Sequence, residues 1–167
     1  MFDLINGLPI HPLVVHAVVV LLPLGILGTL AIALRPAWRK AHGWLVLAVT
    51  AAATVLIPVA TSSGEDLEKR VGDPGDHAEL GDQLIWFALP MLILLAVLVY
   101  LDRRGSHDSP EPVPAGEGGH HVATGSRALT LVAVLAVVAS VAAGVQVYRV
   151  GDSGARAAWG DQVSSGR

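Results

Sequence analysis

The feature that most constrains this chain is where its charges are missing. Residues 4–34, 41–64, 83–101 and 128–148 contain no Asp, Glu, Lys or Arg. A helix crossing a bilayer needs roughly 20 apolar residues, since each adds about 1.5 Å of rise. Four such tracts predict an all-α integral membrane protein, a four-transmembrane-helix bundle forming one domain. The spans are placed at about 12–34, 43–61, 83–101 and 128–148, with an outer loop over 62–82. Of the 167 residues, 53% are hydrophobic and 15% charged, too little charge to solvate a water-soluble domain of this size. A soluble enzyme, a disordered chain and a nucleic-acid binder are thereby excluded.

The chain has no Cys, which removes disulfides, thiolate metal sites and covalent haem attachment. The first apolar tract is much longer than the core of a signal peptide and is preceded by Asp3 without Lys or Arg. It reads as a retained span.

The connections set the expected topology. Residues 35–40, Arg-Pro-Ala-Trp-Arg-Lys, hold three cations and no anion, which marks a cytoplasmic turn. Arg103, Arg104 and Arg127 fall on the same side. The other side receives both termini, residues 65–82 and ten of the 14 acidic residues. An N-out, C-out four-helix protein follows. Trp38, Trp44 and Tyr100 near the inner ends, and Trp86 and Tyr148 near the outer ends, fit an interfacial aromatic belt.

Local signals refine the elements. Pro12 suits a first helical position. Ser62-x-x-Glu65 and Asp76-x-x-Glu79 match the capping box, predicting a short extracytoplasmic helix through Val71 and the start of helix three near His77. Pro23, Pro58 and Pro90 are expected to bend their spans. Ala136, Ser140 and Gly144, with Ala139 and Ala143, form a small-residue face that suits a tight helix seam within the bundle or in a homodimer. Residues 105–126 are rich in Pro, Gly, Ser and Glu and read as a disordered cytoplasmic linker. His120 and His121 within it, without an ordered third ligand, make only a weak metal site.

The chemistry-bearing residues gather on the outer side: His11, His16, Glu65, Asp66, His77 and Tyr148. His16 stands out, because it lies about 6 Å beyond Pro12 along the helix. An ionisable group at that depth is expected to face the bundle interior with a partner. His77 is expected to fold down within roughly 10 Å of it, as two imidazoles spanning one iron require.

Three readings are open. Two of His11, His16 and His77 ligate a b-type haem, or hold a transition metal with Glu65 or Asp66, since imidazole and carboxylate suit iron, copper or zinc. Alternatively, the chain is a non-catalytic structural or assembly subunit of a membrane complex, and the polar cluster only pins helices together. In the third reading, His16 and the acids relay protons or ions. No nucleophile–base pair, phosphate loop or HExxH motif is present, so a hydrolase has no support, and the reading leans away from independent enzymatic activity.

Leu-Pro-Ile-His-Pro-Leu-Val-Val-His (8–16) resembles the His-Pro-x-x-x-His opening of a bacterial family of predicted four-span membrane proteins of unknown function. Ser-Gly-Glu-Asp-Leu (63–67), Asp-His-Ala-Glu-Leu-Gly (76–81) and Ala-Gly-Val-Gln-Val-Tyr-Arg-Val-Gly (143–151) are similar to that family's later motifs, in the same order. The resemblance implies a membrane domain sometimes found beside Rieske-type or other electron-transfer modules, with a haem- or metal-associated redox role. His11, His16, Asp66, His77 and Tyr148 match its recurrent polar positions. Ala17-Val18 departs from the bulkier aromatic-Pro pair that often follows the second His, and no redox module is fused here. A membrane partner or a second copy would complete such a system.

Overall fold

The computed structural model describes residues 4–5, 8–72, 75–107 and 123–164. Two two-residue strands, β1 (Leu4–Ile5) and β2 (Leu8–Pro9), pair antiparallel ahead of the helices. Five helices follow among the described residues: α1 (Ile10–Leu34), α2 (Pro36–Val71), α3 (Asp76–Gln83), α4 (Ile85–His107) and α5 (Ala123–Ser164). Among the described residues, four segments are long and apolar enough to cross a membrane: Ile10–Leu34, Pro36–Lys69, Asp76–Gly105 and Arg127–Trp159.

Each long helix packs chiefly on two other long ones, α1 against α2 and α5, α4 against α5 and α2. This is an up-down-up-down four-helix ring in which consecutive helices are neighbours. Its core is apolar, with Leu22, Ala53, Ile57, Ala88, Met91 and Ala143 wholly or almost wholly buried in one cluster. Close approach of α1 and α2 depends on two glycines. A Cβ on Gly25 would stand 2.7 Å from Thr50 Oγ1, and one on Gly28 2.9 Å from Val46 Cγ1. The buried hydroxyls of Thr29, Thr50, Thr54 and Ser140 donate to carbonyls one turn back in their own helices, which satisfies them without a cross-helix partner. Ala136, Ser140 and Ala143 are fully buried, so the small-residue face of α5 is an internal seam; Gly144 stands at its flank, with open space where a Cβ would be.

Several predicted boundaries move. The turn expected over residues 35–40 contracts to Arg35, because Pro36 occupies the first position of α2, where its missing N–H leaves no donor unpaired. Neither expected capping box forms. Ser62 lies inside α2 and donates to the Pro58 carbonyl, so the outer helix is the continuation of span two. The N-cap of α3 is Gly75, with no side-chain cap. Once a helix is nucleated, each further residue adds a hydrogen bond at little cost. Accordingly α2 and α5 run on to Val71 and Ser164, about 54 Å and 63 Å long at 1.5 Å per residue. Gly72, at φ 101, ends α2 and donates its N–H to the Glu68 carbonyl, a backbone angle that favours glycine. Helix also occupies 105–107 and 123–126 of the expected linker; residues 108–122, with His120 and His121, lie outside the described residues.

One end of the ring is fastened by arginine. Arg39, 5% exposed, donates from Nε to the Ile32 carbonyl at 2.7 Å and from Nη2 to the Ala33 carbonyl at 2.8 Å. It thereby satisfies carbonyls in the last turn of α1. Its Nη1 lies 3.6 Å from Asp102 Oδ1 on α4. Around it Arg35, Arg103 and Arg104 lie over the rings of Trp38, Trp44 and Tyr100 at 5.0, 5.2 and 4.6 Å, within cation–π range.

Candidate functional site

At the opposite end of the ring, two imidazoles are fixed in the same way. His11, in the first turn of α1, reaches α2: its Nδ1 lies 3.0 Å from the Ala60 carbonyl and 3.2 Å from Ser63 Oγ. His77, in the first turn of α3, reaches α5: its Nδ1 lies 3.1 Å from the Val150 carbonyl and 3.4 Å from Ser153 Oγ. Each serine hydroxyl donates to that same carbonyl, at 3.0 and 2.9 Å. A carbonyl oxygen only accepts, so Nδ1 is the protonated nitrogen in both rings.

Each ring also lies on a glycine. A Cβ on Gly64 would meet His11 Cε1 at 3.0 Å, and one on Gly154 would meet His77 Cε1 at 2.9 Å. The missing side chain is what lets the imidazole lie against the helix, with Nδ1 over a carbonyl four residues before the glycine.

Between the two imidazoles opens a cavity of about 520 Å³, within the range of small-molecule sites. Both His11 and His77 line it, with mainly apolar groups such as Val18, Leu22, Ile57 and Val147. Gly81 and Gly151 also line it, and a Cβ on either would have nothing within 4 Å. Glu65, Glu68 and Asp82 add carboxylates to the wall. Gln146, 1% exposed, ties α3 to α5 beside it: its Nε2 donates to the Leu80 carbonyl at 2.9 Å, and its Oε1 accepts from Arg149 at 3.2 Å.

The predicted site residues are thus divided. His11, His77 and Glu65 line one cavity. His16 does not: it is exposed, and its Nδ1 bonds the Pro12 carbonyl in its own helix. The expectation that it faces inward fails because that local bond satisfies the ring without a neighbouring helix. His77 consequently shares the cavity with His11. Asp66 is half-exposed and paired with Lys69 at 2.9 Å, while Tyr148 is 74% exposed; neither lines the cavity. Among the described residues, no group of three or more His, Asp or Glu side chains is placed to hold a metal ion.

Sequence reasoning gave no role to Ser63, Gly64 and Gln146, although they stand in the motifs at 63–67 and 143–151, and missed Ser153 and Gly154. The signal was a repeated Ser-Gly pair, in Ala-Thr-Ser-Ser-Gly (60–64) and Val-Gly-Asp-Ser-Gly (150–154).

The profile of a family described as "Predicted membrane protein (DUF2231)" matches residues 7–167. No curated protein and no solved structure matches the chain.

Proposed function

The chain belongs to the DUF2231 family of predicted membrane proteins, and on that premise we propose that it is a redox-associated membrane subunit carrying b-type haem between His11 and His77. The observation behind this is that both imidazoles line one apolar cavity with Nδ1 turned to a carbonyl. A neutral ring so held keeps its Nε2 lone pair for a ligand, and an Nδ1–H bonded to a carbonyl is the usual support of a metal-bound histidine. Two nitrogens are too few for a bare transition-metal ion but complete the coordination of an iron already held by a porphyrin. A His16-centred site and a metal site using Asp66 have no such support.

The same reading places the protein in a bacterial inner membrane, with the histidine end and both termini outside, as the cationic residues at the arginine end favour. A membrane partner would exchange electrons with the haem.

Protein purified in detergent from haem-supplied cells tests this. The expected result is a Soret band that is lost in His11→Ala and in His77→Ala and kept in His16→Ala. Colourless protein, or a band that survives both substitutions, overturns it. A second reading is favoured by the glycine seats: the imidazoles are plugs that fasten α1 to α2 and α3 to α5 in a non-catalytic scaffold. It predicts colourless protein whose melting temperature falls in the same two variants.

A further inference from the structure

The described residues form two hairpins built to one plan. In each, a first helix begins with a histidine, and a second, longer helix carries the seat: a carbonyl, two intervening residues, a serine and a glycine. His11 uses Ala60, Ser63 and Gly64, and His77 uses Val150, Ser153 and Gly154. A proline lies in the apolar part of both first helices, Pro23 in α1 and Pro90 in α4. The packing obeys the same exchange: α1 touches α5, and α4 touches α2. The second hairpin differs in the break at Leu84, which separates α3 from α4. The cavity is lined from both hairpins, and binding sites of repeat-built membrane proteins commonly lie at the repeat interface.

We infer that the two hairpins are copies of one unit, and that Gly64 and Gly154 are equivalent positioning residues, whose missing side chains let each ring reach its carbonyl. They hold His11 and His77 in the Nδ1–H tautomer, with both Nε2 lone pairs directed to one ligand. The serine contribution follows from the proton arrangement. Each hydroxyl spends its own proton on the carbonyl that the imidazole also uses. With Nδ1 protonated, its oxygen is a second acceptor beside the carbonyl. An unprotonated Nδ1 would set acceptor against carbonyl and could be met only by turning the hydroxyl proton away from that carbonyl, one hydrogen bond fewer for the seat. The seat thus selects the tautomer before any ligand arrives. What the lone pairs then hold rests on the haem reading; the tautomer does not.

Nitrogen NMR of the full chain, labelled with ¹⁵N-histidine, solubilised in detergent and free of haem, tests this. The expected spectrum has two imidazoles, assigned through His11→Gln and His77→Gln, with protonated Nδ1 and unprotonated Nε2. Gly64→Ala, whose Cβ presses the ring off the Ala60 carbonyl, should shift His11 alone toward a mixture of tautomers, and Gly154→Ala should do so for His77 alone. Ser63→Ala and Ser153→Ala, which keep the glycine and the carbonyl, should leave the protonated Nδ1 signal in place. Protonated Nε2 in both wild-type rings overturns the inference, as do glycine-to-alanine variants indistinguishable from wild type. A scaffold without haem would still show the selected tautomer, so failure of the cofactor reading and failure of this one give different results.

Discussion

The Arg39 guanidinium and the Asp102 carboxylate form an ion pair at the end of the ring remote from the two histidines, with 5% and 12% of their side chains exposed. Arg39 at the same time closes the carbonyl end of α1. Removing one partner of a buried pair leaves the other charged and poorly solvated, at a cost of about 3–5 kcal/mol. Arg39→Met should therefore lower thermal stability in detergent by about that amount. Arg39→Lys should restore only part of it, because a single ammonium cannot reproduce the guanidinium fork. Thermal melts of the three proteins check this; equal stability of Arg39→Met and wild type would remove the pair from the account.

The glycine seats predict opposite outcomes for two residues three positions apart. Gly154→Ala places a Cβ against His77, an overpacking that costs about 1–3 kcal/mol. At Gly151 the same substitution meets open space, and alanine gains about 1 kcal/mol of helix propensity. Melting temperatures should fall in the first variant and hold or rise in the second.

Gln146 should govern how firmly α3 is held. Gln146→Leu leaves the Leu80 carbonyl without its donor, costing about 1–3 kcal/mol where that group is shielded from water. Hydrogen exchange over residues 76–83 should quicken in this variant more than exchange in α1. Uniform acceleration across the bundle would contradict a local role.

Orientation is testable cleanly because the chain has no cysteine. Trp159 and Gly105 are exposed, near opposite ends of the fourth and third spans. On intact cells, a membrane-impermeant thiol reagent should label Trp159→Cys and reach Gly105→Cys only after permeabilisation. The reverse pattern would invert the proposed topology.

The four rods were legible in the sequence because a bilayer demands long uncharged tracts, and such tracts survive any detail of packing. Their ends were less so: Pro36 and the runs beyond residues 61 and 148 are set by helix continuation, which hydropathy does not report. His16 looked the strongest polar residue because burial of an imaginary inward-facing ring was assumed; the Pro12 carbonyl, four residues back, satisfies it on the outer surface. His11 and His77 were both singled out, yet their pairing with Ala60 and Val150 spans 49 and 73 residues, a separation that periodicity does not register. The cavity was hidden for a different reason. Gly81 and Gly151 shape it by lacking side chains, and a sequence displays an absent side chain as nothing more than a weak helix former.

Each histidine finds its seat inside its own hairpin, and this bears on how the molecule is made. The leading pair of rods can lock as soon as it has left the ribosome, before the trailing pair exists. Only the two seams joining the pairs must wait for the remainder of the chain. Separately synthesised halves, divided between α2 and α3, should therefore recombine into the complete ring in the bilayer.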